Sequence, residues 1–402
     1  GGCTYPGSGM RMRGSMTKGK RAASERGGKK KSLWSRVSKV LFILAVVLAA
    51  AVLSTMEDGQ HFASLRRWLM YGDTGEARDT YTYSADQANR FAWLGEQLLV
   101  ATPNSLRLLD AGGAVLCDEP VNLSTPALST GTSRAVVWDV GGTNLYLLDS
   151  TGLREKKTTS GGQVYYTARL NSRDWLAVTE QKSGYKDAVS VYNPSGELVF
   201  HFDSYDSYIS DAVVTENCSK LVAVSLGAEG GVFTSTLVVY DLTTAEKLGE
   251  RSIRDGLVMD FACHENTVIS LCDTRLTITD LDGQLLLDRP YGGQYLYDYA
   301  LTGQSFCALL LGRYQAGNIS QLTTFGLDGQ ELATLSLSEE VLDLSAAGDT
   351  LAVLYDNSLV LYNQNLEELS RLDNTGYAGQ IIAGSDGAAL ILSASSAWRY
   401  LP

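Results

Sequence analysis

The chain has 402 residues, of which 45% are hydrophobic, so it holds enough apolar material for a folded core. Its net charge of −12 is the sum of a basic N-terminal part and an acidic remainder. Residues 1–56 contain eleven Lys or Arg and one acid, whereas residues 57–402 contain twenty-two Lys or Arg and forty-four acids. The strong negative charge of residues 57–402, here called the body, argues against a nucleic-acid partner, because phosphate backbones are bound by clustered Lys and Arg.

The N-terminal part reads as a tail followed by an anchor. We predict a basic, disordered cytoplasmic tail at 1–39 and a transmembrane helix at 40–56, VLFILAVVLAAAVLSTM, which carries no charge. Basic residues precede this run and acids follow it, so the positive-inside rule places the N-terminus in the cytoplasm and the body outside the cell membrane. A cleaved signal peptide is the alternative, and Met16 is a plausible start residue.

The segment at 57–78 is predicted to form a juxtamembrane helix and a linker. Phe62, Leu65, Trp68 and Leu69 recur at helical spacing, with a glycine cap at Gly72. This helix is expected either to cover a hydrophobic edge of the body or to lie on the outer membrane surface.

Beyond residue 79 one strand pattern recurs eight times. Its most regular strand is apolar and usually ends in Asp or Asn before a Gly turn, at 106–110, 145–149, 189–193, 237–241, 276–280, 322–326, 359–363 and 397–401. Successive repeats are separated by 37 to 48 residues, the spacing of four-stranded propeller blades. Each is preceded by a nearly all-apolar strand, such as 98–102 or 351–355, as expected for strands buried on both faces. An aromatic residue recurs in the later repeats, at Tyr192, Tyr240, Phe325, Tyr362 and Tyr400, and is predicted to lie in the core between blades.

The fold prediction is therefore all-β, an eight-bladed β-propeller at 79–402, with seven blades as the alternative. The last repeat ends after its third strand, so the segment DTYTYS at 79–84 is expected to supply the outer strand of that blade. Such a closure would pair the two ends of the domain and remove exposed strand edges.

The repeats resemble WD40-like and quinoprotein-like propellers, most clearly in VYDLTTAEKLGE at 239–250. The Gly-His dipeptide of WD40 repeats and the docking Trp of quinoprotein blades are absent, so the resemblance implies a fold and no quinone cofactor. The plan of basic tail, anchor, SLRRWLMYG at 64–72 and exported propeller is similar to an uncharacterised family of single-pass membrane proteins from clostridia-like Gram-positive bacteria. That resemblance implies an architecture and carries no catalytic residues.

Motifs for chemistry are scarce. The five cysteines outside the tail form no C-x-x-C pair and are predicted to be buried free thiols, and three scattered His predict no metal site. SGYK at 183–186 matches S-x-x-K, and DLDGQ at 280–284 resembles part of a calcium loop, but neither has the companion motifs. We assign no catalytic residue, no metal and no cofactor.

The long insertions and many tyrosines fall where loops of one propeller face are expected. Between the second and third strands lie 181–188, 227–236 and 313–320, and aromatic residues also cluster between consecutive blades. The predicted binding-face residues are Tyr165, Tyr166, Tyr185, Tyr205, Tyr208, Tyr291, Tyr295 and Tyr314. Tyr offers rigid amphipathic area that suits recognition of protein or glycan, although the same rings could simply pack the loops.

The leading function is a non-catalytic, membrane-anchored extracytoplasmic scaffold or sensor that binds an exported protein or a cell-wall component. The alternative is a propeller enzyme, a hydrolase, lyase or oxidoreductase, with acids such as Asp203 or Asp298 near the central channel. A structural spacer is a third possibility.

Overall fold

Eight four-stranded antiparallel sheets form a β-propeller in the computed structural model, which describes residues 75–254, 256–315, 317 and 319–402. Within each sheet the strands are hydrogen-bonded in the order A, B, C, D, where A is the inner strand and D the outer strand. The prediction of eight blades is confirmed.

The strands of each blade follow one another along the chain, except in the eighth. Blades 1 to 4 comprise β2 (Arg90–Leu94), β3 (Gln97–Ala101), β4 (Ser105–Leu109) and β5 (Val115–Pro120); β6 (Pro126–Thr130), β7 (Arg134–Asp139), β8 (Asn144–Asp149) and β9 (Gly152–Thr158); β10 (Tyr165–Leu170), β11 (Leu176–Gln181), β12 (Asp187–Tyr192) and β13 (Leu198–Ser204); and β14 (Tyr208–Val214), β15 (Lys220–Glu229), β16 (Val232–Asp241) and β17 (Lys247–Arg254). Blades 5 to 8 comprise β18 (Val258–His264), β19 (Thr267–Cys272), β20 (Arg275–Asp280) and β21 (Leu285–Pro290); β22 (Tyr295–Ala300), β23 (Phe306–Gly312), β24 (Ser320–Gly326) and β25 (Glu331–Leu337); β26 (Val341–Ala347), β27 (Thr350–Tyr355), β28 (Ser358–Tyr362) and β29 (Glu368–Asp373); and β30 (Gln380–Ala383), β31 (Ala389–Leu392), β32 (Ser396–Leu401) and β1 (Gly75–Thr82).

The ring closes as predicted, because β1 forms the outer strand of blade 8. It pairs with β32 in an antiparallel register that runs from Gly75 opposite Leu401 to Thr82 opposite Ser396. The strand therefore begins four residues before the predicted segment. The Tyr83 hydroxyl lies 2.8 Å from the carbonyl oxygens of both Ser393 and Ser396, which fixes the end of the closing strand.

The hydrophobic core is divided into eight clusters, one at each junction between neighbouring blades. The B strands supply much of it, since strands such as Thr350–Tyr355 are buried throughout. The repeated aromatics lie in these clusters as predicted, with Phe325 1% exposed. The cluster that joins blades 8 and 1 contains Tyr81 and Tyr83, so the core continues around the whole ring.

The five cysteines among the described residues are free, as predicted. The predicted burial holds for Cys272 and Cys307, whereas Cys117, Cys218 and Cys263 are half-buried. Cys263 lies opposite Val268 across the β18–β19 hairpin and Cys272 lies opposite Val258, so the two cysteines are not cross-strand partners. Burial raises the pKa of the Cys263, Cys272 and Cys307 thiols to about 12, which fits small apolar core residues rather than nucleophiles.

The predicted tail at 1–39, the anchor at 40–56 and the juxtamembrane helix lie outside the described residues. Within the part of the chain that is described, no helix has the length and apolarity needed to cross a membrane.

Candidate functional site

The connections between strands define two faces of the propeller. The B–C and D–A connections form one face, here called the loop face, and the A–B and C–D connections form the other, here called the turn face. Seven acids and three bases occur in the loop-face connections, against twelve acids and one base in those of the turn face. The turn face is therefore the more strongly charged and better solvated surface.

Exposed apolar side chains are distributed unevenly over these surfaces. Eighteen large hydrophobic residues are exposed among the described residues, and none of them lies in a turn-face connection. Seven are the first or second residues of outer strands, at the ends next to the turn face: Val115, Leu116, Leu198, Val199, Leu248, Leu285 and Leu286. The other eleven lie in loop-face connections or at the strand ends next to them: Val140, Tyr205, Tyr208, Val232, Phe233, Met259, Tyr295, Tyr314, Ile319, Leu342 and Tyr377. All six exposed aromatic residues are among these eleven, and exposed aromatic side chains are characteristic of interaction surfaces.

Three of the predicted tyrosines meet where blades 3 and 4 adjoin. The rings of Tyr185 and Tyr205 lie 4.2 Å apart, and the Lys186 ammonium lies 4.7 Å from the centre of the Tyr208 ring. Lys186 Nζ also donates a hydrogen bond to the Asp206 carbonyl oxygen at 2.6 Å. Tyr205 nevertheless stays 66% exposed, so this cluster orders the loops and leaves aromatic area at the surface.

A second pair of predicted residues, Tyr295 and Tyr314, is exposed in blade 6. The loop that carries Tyr314 is held by Tyr297, whose hydroxyl donates to the Tyr314 carbonyl oxygen at 2.5 Å. The Tyr297 ring covers Gly312 so closely that an added Cβ there would lie 1.9 Å from Tyr297 Cζ. Glycine at this position therefore lets the ring support the loop.

The remaining three predicted residues are less accessible. Tyr165 is 5% exposed in the core between blades 2 and 3, and burial raises its pKa to about 12. Tyr291 is 4% exposed and its hydroxyl donates to the Cys272 carbonyl oxygen at 2.7 Å. These two rings pack the connections and do not contribute surface. Tyr166 is half-buried beside Asp187, whose proximity adds to burial in raising the pKa of the phenol.

The insertion at 227–236 was expected as a loop and is instead a hairpin. Strands β15 and β16 continue to Glu229 and Val232, with Gly230 and Gly231 at φ +62° and +83° as the two-residue turn. Val232 and Phe233 near its tip are both exposed. Sequence reasoning did not single out these two residues, although a Gly-Gly pair between β-forming residues was the available signal.

The central channel carries a row of acids on consecutive inner strands. Near the start of β14, β18, β22 and β26 the register shifts by one residue, and each shift is followed by an acid: Asp211, Asp260, Asp298 and Asp343. Arg169 on β10 lies among them. Its guanidinium donates to Asp211 Oδ2 at 2.6 Å and to Asp260 Oδ1 at 2.7 Å.

The other two acids are held by backbone amides. Tyr299 N and Leu344 N donate to Asp298 at 2.7 and 2.8 Å, and Ile381 N donates to Asp343 at 2.7 Å. Burial raises the pKa of Asp298 to about 6 and that of Asp343 to about 7, the latter also through the charge of Asp298. The amide contacts from Leu344 and Ile381 join each blade to the next.

Asp298 thus lies on an inner strand as the channel hypothesis requires, whereas Asp203 does not. Asp203 is on β13, an outer strand, where it contacts His201 at 3.1 Å, so the expectation that it lines the channel is wrong. His201 in turn contacts Ser190 Oγ at 3.0 Å, but Ser190 is 5% exposed. No group of three or more metal-binding side chains occurs among the residues described.

On the turn face a cavity of about 420 Å³ lies between blades 2 and 3, and another of about 370 Å³ lies between blades 1 and 2. The first is lined by more charged side chains. The charged residues of the cavity between blades 2 and 3 are already engaged for the most part, because Arg154 pairs with Asp149, and Lys157 pairs with Glu155 at 2.8 Å. Asp174 accepts hydrogen bonds from Ser133, including one of 2.5 Å from the hydroxyl. These contacts fit a cleft between blades that is lined by internal ion pairs.

Comparison with solved structures supports the propeller fold. The C-terminal WD40 domain of Sif2 is 14% identical with a TM-score of 0.57, and the similarity covers 82% of this chain and 99% of that chain. BamB from Moraxella catarrhalis is 12% identical with a TM-score of 0.51, and the similarity covers 81% of this chain and 100% of that chain. At such low identity these similarities establish the fold alone.

Among curated proteins, none is similar enough in sequence to count as a relative. The residues from 73 to 394, which span nearly all of the propeller, match one sequence family. The chain therefore belongs to DUF5711, a family of unknown function.

Proposed function

We propose that this protein is a non-catalytic binding propeller, anchored in the cell membrane through residues 40–56, that recruits an exported protein partner through its loop face. The anchor and the external location rest on the sequence, namely the uncharged run at 40–56 and the basic residues before it. The binding role is supported by the exposed apolar side chains, eleven of which lie in loop-face connections or at adjoining strand ends, against seven at the strand ends next to the turn face. All six exposed aromatic residues are among the eleven.

The composition of that surface favours a protein over a glycan. Stacked Tyr rings suit either ligand, but Met259, Ile319 and Leu342 are exposed aliphatic side chains with no polar atom for a sugar hydroxyl. Protein interfaces combine such aliphatic area with Tyr and Phe anchors. The hairpin tip at Val232 and Phe233 adds an apolar projection that a second protein could enclose.

Crosslinking in cells with the tagged full-length chain tests the proposal. One variant carries Tyr205→Ala, Tyr208→Ala, Tyr295→Ala and Tyr314→Ala, and its matched control carries Val115→Ala, Leu198→Ala, Leu248→Ala and Leu285→Ala. Each variant removes four exposed apolar side chains, the first from the loop face and the second from outer strands. We expect capture of a discrete exported partner to fall at least about tenfold in the first variant only, since interface energy is concentrated in a few anchors.

If both variants capture the same amount of partner, the loop face is not the binding surface.

The external location is tested in the same cells with the variant Tyr377→Cys, because Tyr377 is 98% exposed. A membrane-impermeant maleimide should label this cysteine in intact cells, and labelling only after lysis would contradict the external location.

A further inference from the structure

The mouth of the central channel on the loop face combines an apolar rim with acids just inside it. The register shifts on β18, β22 and β26 leave Met259, Tyr297 and Leu342 as extra residues in the inner strands. Met259 and Leu342 are exposed and Tyr297 is half-buried. The acids follow directly, one residue further along each strand.

One half of this acid row already contains a guanidinium. Arg169 bridges Asp211 and Asp260, which occupy the same register position on the neighbouring inner strands β14 and β18. Its guanidinium also lies 5.3 Å from the centre of the Phe261 ring. The molecule thus shows how a planar cation is held here, between two carboxylates of adjacent blades and beside an aromatic ring.

The other half has the same carboxylates without a cation. Asp298 and Asp343 occupy the equivalent position on the adjacent strands β22 and β26 and are half-buried. Their hydrogen bonds come from backbone amides, and within the described residues no Lys or Arg side chain bonds to either carboxylate. Tyr297 and Tyr299 flank Asp298 in sequence, and Leu342 precedes Asp343.

We propose that the protein partner inserts an arginine into the channel mouth, where its guanidinium bridges Asp298 and Asp343 and its aliphatic stem contacts Met259 and Leu342. This inference rests on the proposed function and specifies the chemistry of the partner. Arginine fits better than lysine because its planar group can engage two carboxylates at once, as Arg169 does, and can stack on the neighbouring Tyr rings.

The protonation of the two acids supports the proposal and adds a pH dependence. Burial keeps the pKa values of Asp298 and Asp343 at about 6 and about 7, so a bound guanidinium would favour their ionised forms. The charged or titratable groups near them on the packed inner strands are Arg169, Asp260 and Tyr299. Arg169 is already paired with Asp211 and Asp260, so it does not neutralise the second pair. Arginine binding should therefore strengthen as the pH rises from about 5.5 to 7.5.

Capped peptides test this on the full-length chain in detergent micelles. The probe is acetyl-Leu-Arg-Leu-amide, and the control probe replaces arginine by citrulline, which keeps the shape and lacks the charge. Binding is measured at pH 7.5 by ligand-observed NMR titration. We expect the arginine peptide to bind at least about tenfold more tightly than the citrulline peptide, because only it forms charge-assisted bonds.

Substitutions locate the effect. The preference should disappear in Asp298→Asn/Asp343→Asn and weaken in Asp343→Asn alone, whereas Asp356→Asn should retain it. Asp356 is an exposed acid in a loop-face connection outside the channel, so it controls for general negative charge. Thermal unfolding of each variant verifies that the propeller is folded.

The inference is overturned if the two peptides bind equally, if neither binds up to about 10 mM, or if the folded double variant keeps the preference; the upper concentration corresponds to a free energy of only about 3 kcal/mol. Its failure is distinguishable from failure of the proposed function. If the tyrosine variant loses the partner but Asp298→Asn/Asp343→Asn still captures it, the loop face remains the binding surface. Only the inference of an inserted arginine is then wrong.

Discussion

The buried carboxylates in the channel make the stability of the propeller depend on pH. Asp298 and Asp343 receive amide hydrogen bonds from the next blade, and their carboxyl groups are held in a poorly solvated environment. An unfolded aspartate has a pKa near 3.9, so between about pH 4 and 7 the folded protein binds more protons at these sites than the unfolded chain. Linkage then requires the free energy of unfolding to fall as the pH rises through this range.

We therefore predict that Asp298→Asn/Asp343→Asn flattens the pH profile of stability. The amides stay neutral at every pH, so the double variant should gain about 1 to 3 kcal/mol over wild type at pH 7.5 relative to pH 5. Denaturant unfolding at pH 5, 6, 7 and 8 measures this difference. A profile parallel to that of wild type would show that the two carboxylates titrate normally in the folded state, and Asp356→Asn provides the control for an exposed acid.

Individual residues also show where sequence reasoning stops. Asp298 was placed near the channel from the sequence, but Asp343 at the equivalent position was not, because the register shifts that align the acids are created by pairing between strands. Tyr291 and Tyr295 occur in the same short stretch, yet one is 4% and the other 47% exposed. The path of the connection decides which ring is covered, and composition does not reveal that path.

At the scale of elements, the hairpin of blade 4 offers exposed residues for binding that the core of the blade does not need. Residues 227–229 and 232–234 pair with each other, but on β15 pairing to the inner strand stops at Leu226. Towards β17, pairing of β16 stops at Thr234. The tip is therefore a two-stranded projection beyond the four-stranded blade, and its exposed Val232 and Phe233 contribute little to the core.

Shortening this hairpin should therefore leave stability unchanged and reduce partner capture. We predict that replacing residues 228–233 by Asn-Gly, a pair that favours a type I′ turn between Gly227 and Thr234, changes the free energy of unfolding by less than about 0.5 kcal/mol. Capture in the crosslinking experiment should fall at least about tenfold, since Phe233 is lost from the interface. Full capture by the shortened chain would exclude the tip from the binding surface, and a large loss of stability would mean that it supports the blade.

The elements that could be predicted share a physical cause. B and C strands are buried between neighbouring blades, so continuous apolar runs such as 351–355 located them within a residue or two. The extended hairpin could not be predicted, because its Gly-rich, partly polar sequence resembles a loop. The structure shows it as a strand pair through the cross-strand pairs from Leu226–Ser235 to Glu229–Val232. The closing strand was recognised from the missing outer strand of blade 8, and its first four residues became apparent only through pairing with β32.

At the scale of the whole molecule, the two faces differ in chemistry as well as in shape. Twelve acids and one base occupy the turn-face connections, where Trp175 is the sole aromatic residue, whereas the loop-face connections hold six tyrosines. Like charges on the turn face discourage association there, while the apolar loop face remains available. The turn-face acids occur in every blade except the second, and the loop-face tyrosines occur in blades 3 and 5 to 8. The contrast could be anticipated from the positions of the insertions, although the partner's identity could not.

The closed ring predicts that the position of the chain ends is not essential for folding. Leu401 and Gly75 are directly opposite in the β32–β1 pair, as are Leu109 and Val115, or Tyr192 and Leu198, beside the C–D turns of blades 1 and 3. A permuted chain of residues 329–401, an Asn-Gly turn and residues 75–328 should therefore form the same propeller, because it opens one exposed C–D turn and closes another. Circular dichroism and thermal unfolding should resemble those of residues 75–402 in their natural order.

A matched permutation opened between Thr323 and Thr324, inside the buried strand β24, should fail to fold, since it breaks a strand that is hydrogen-bonded on both sides. Folding of both permuted chains, or of neither, would contradict a ring held together by equivalent junctions between blades.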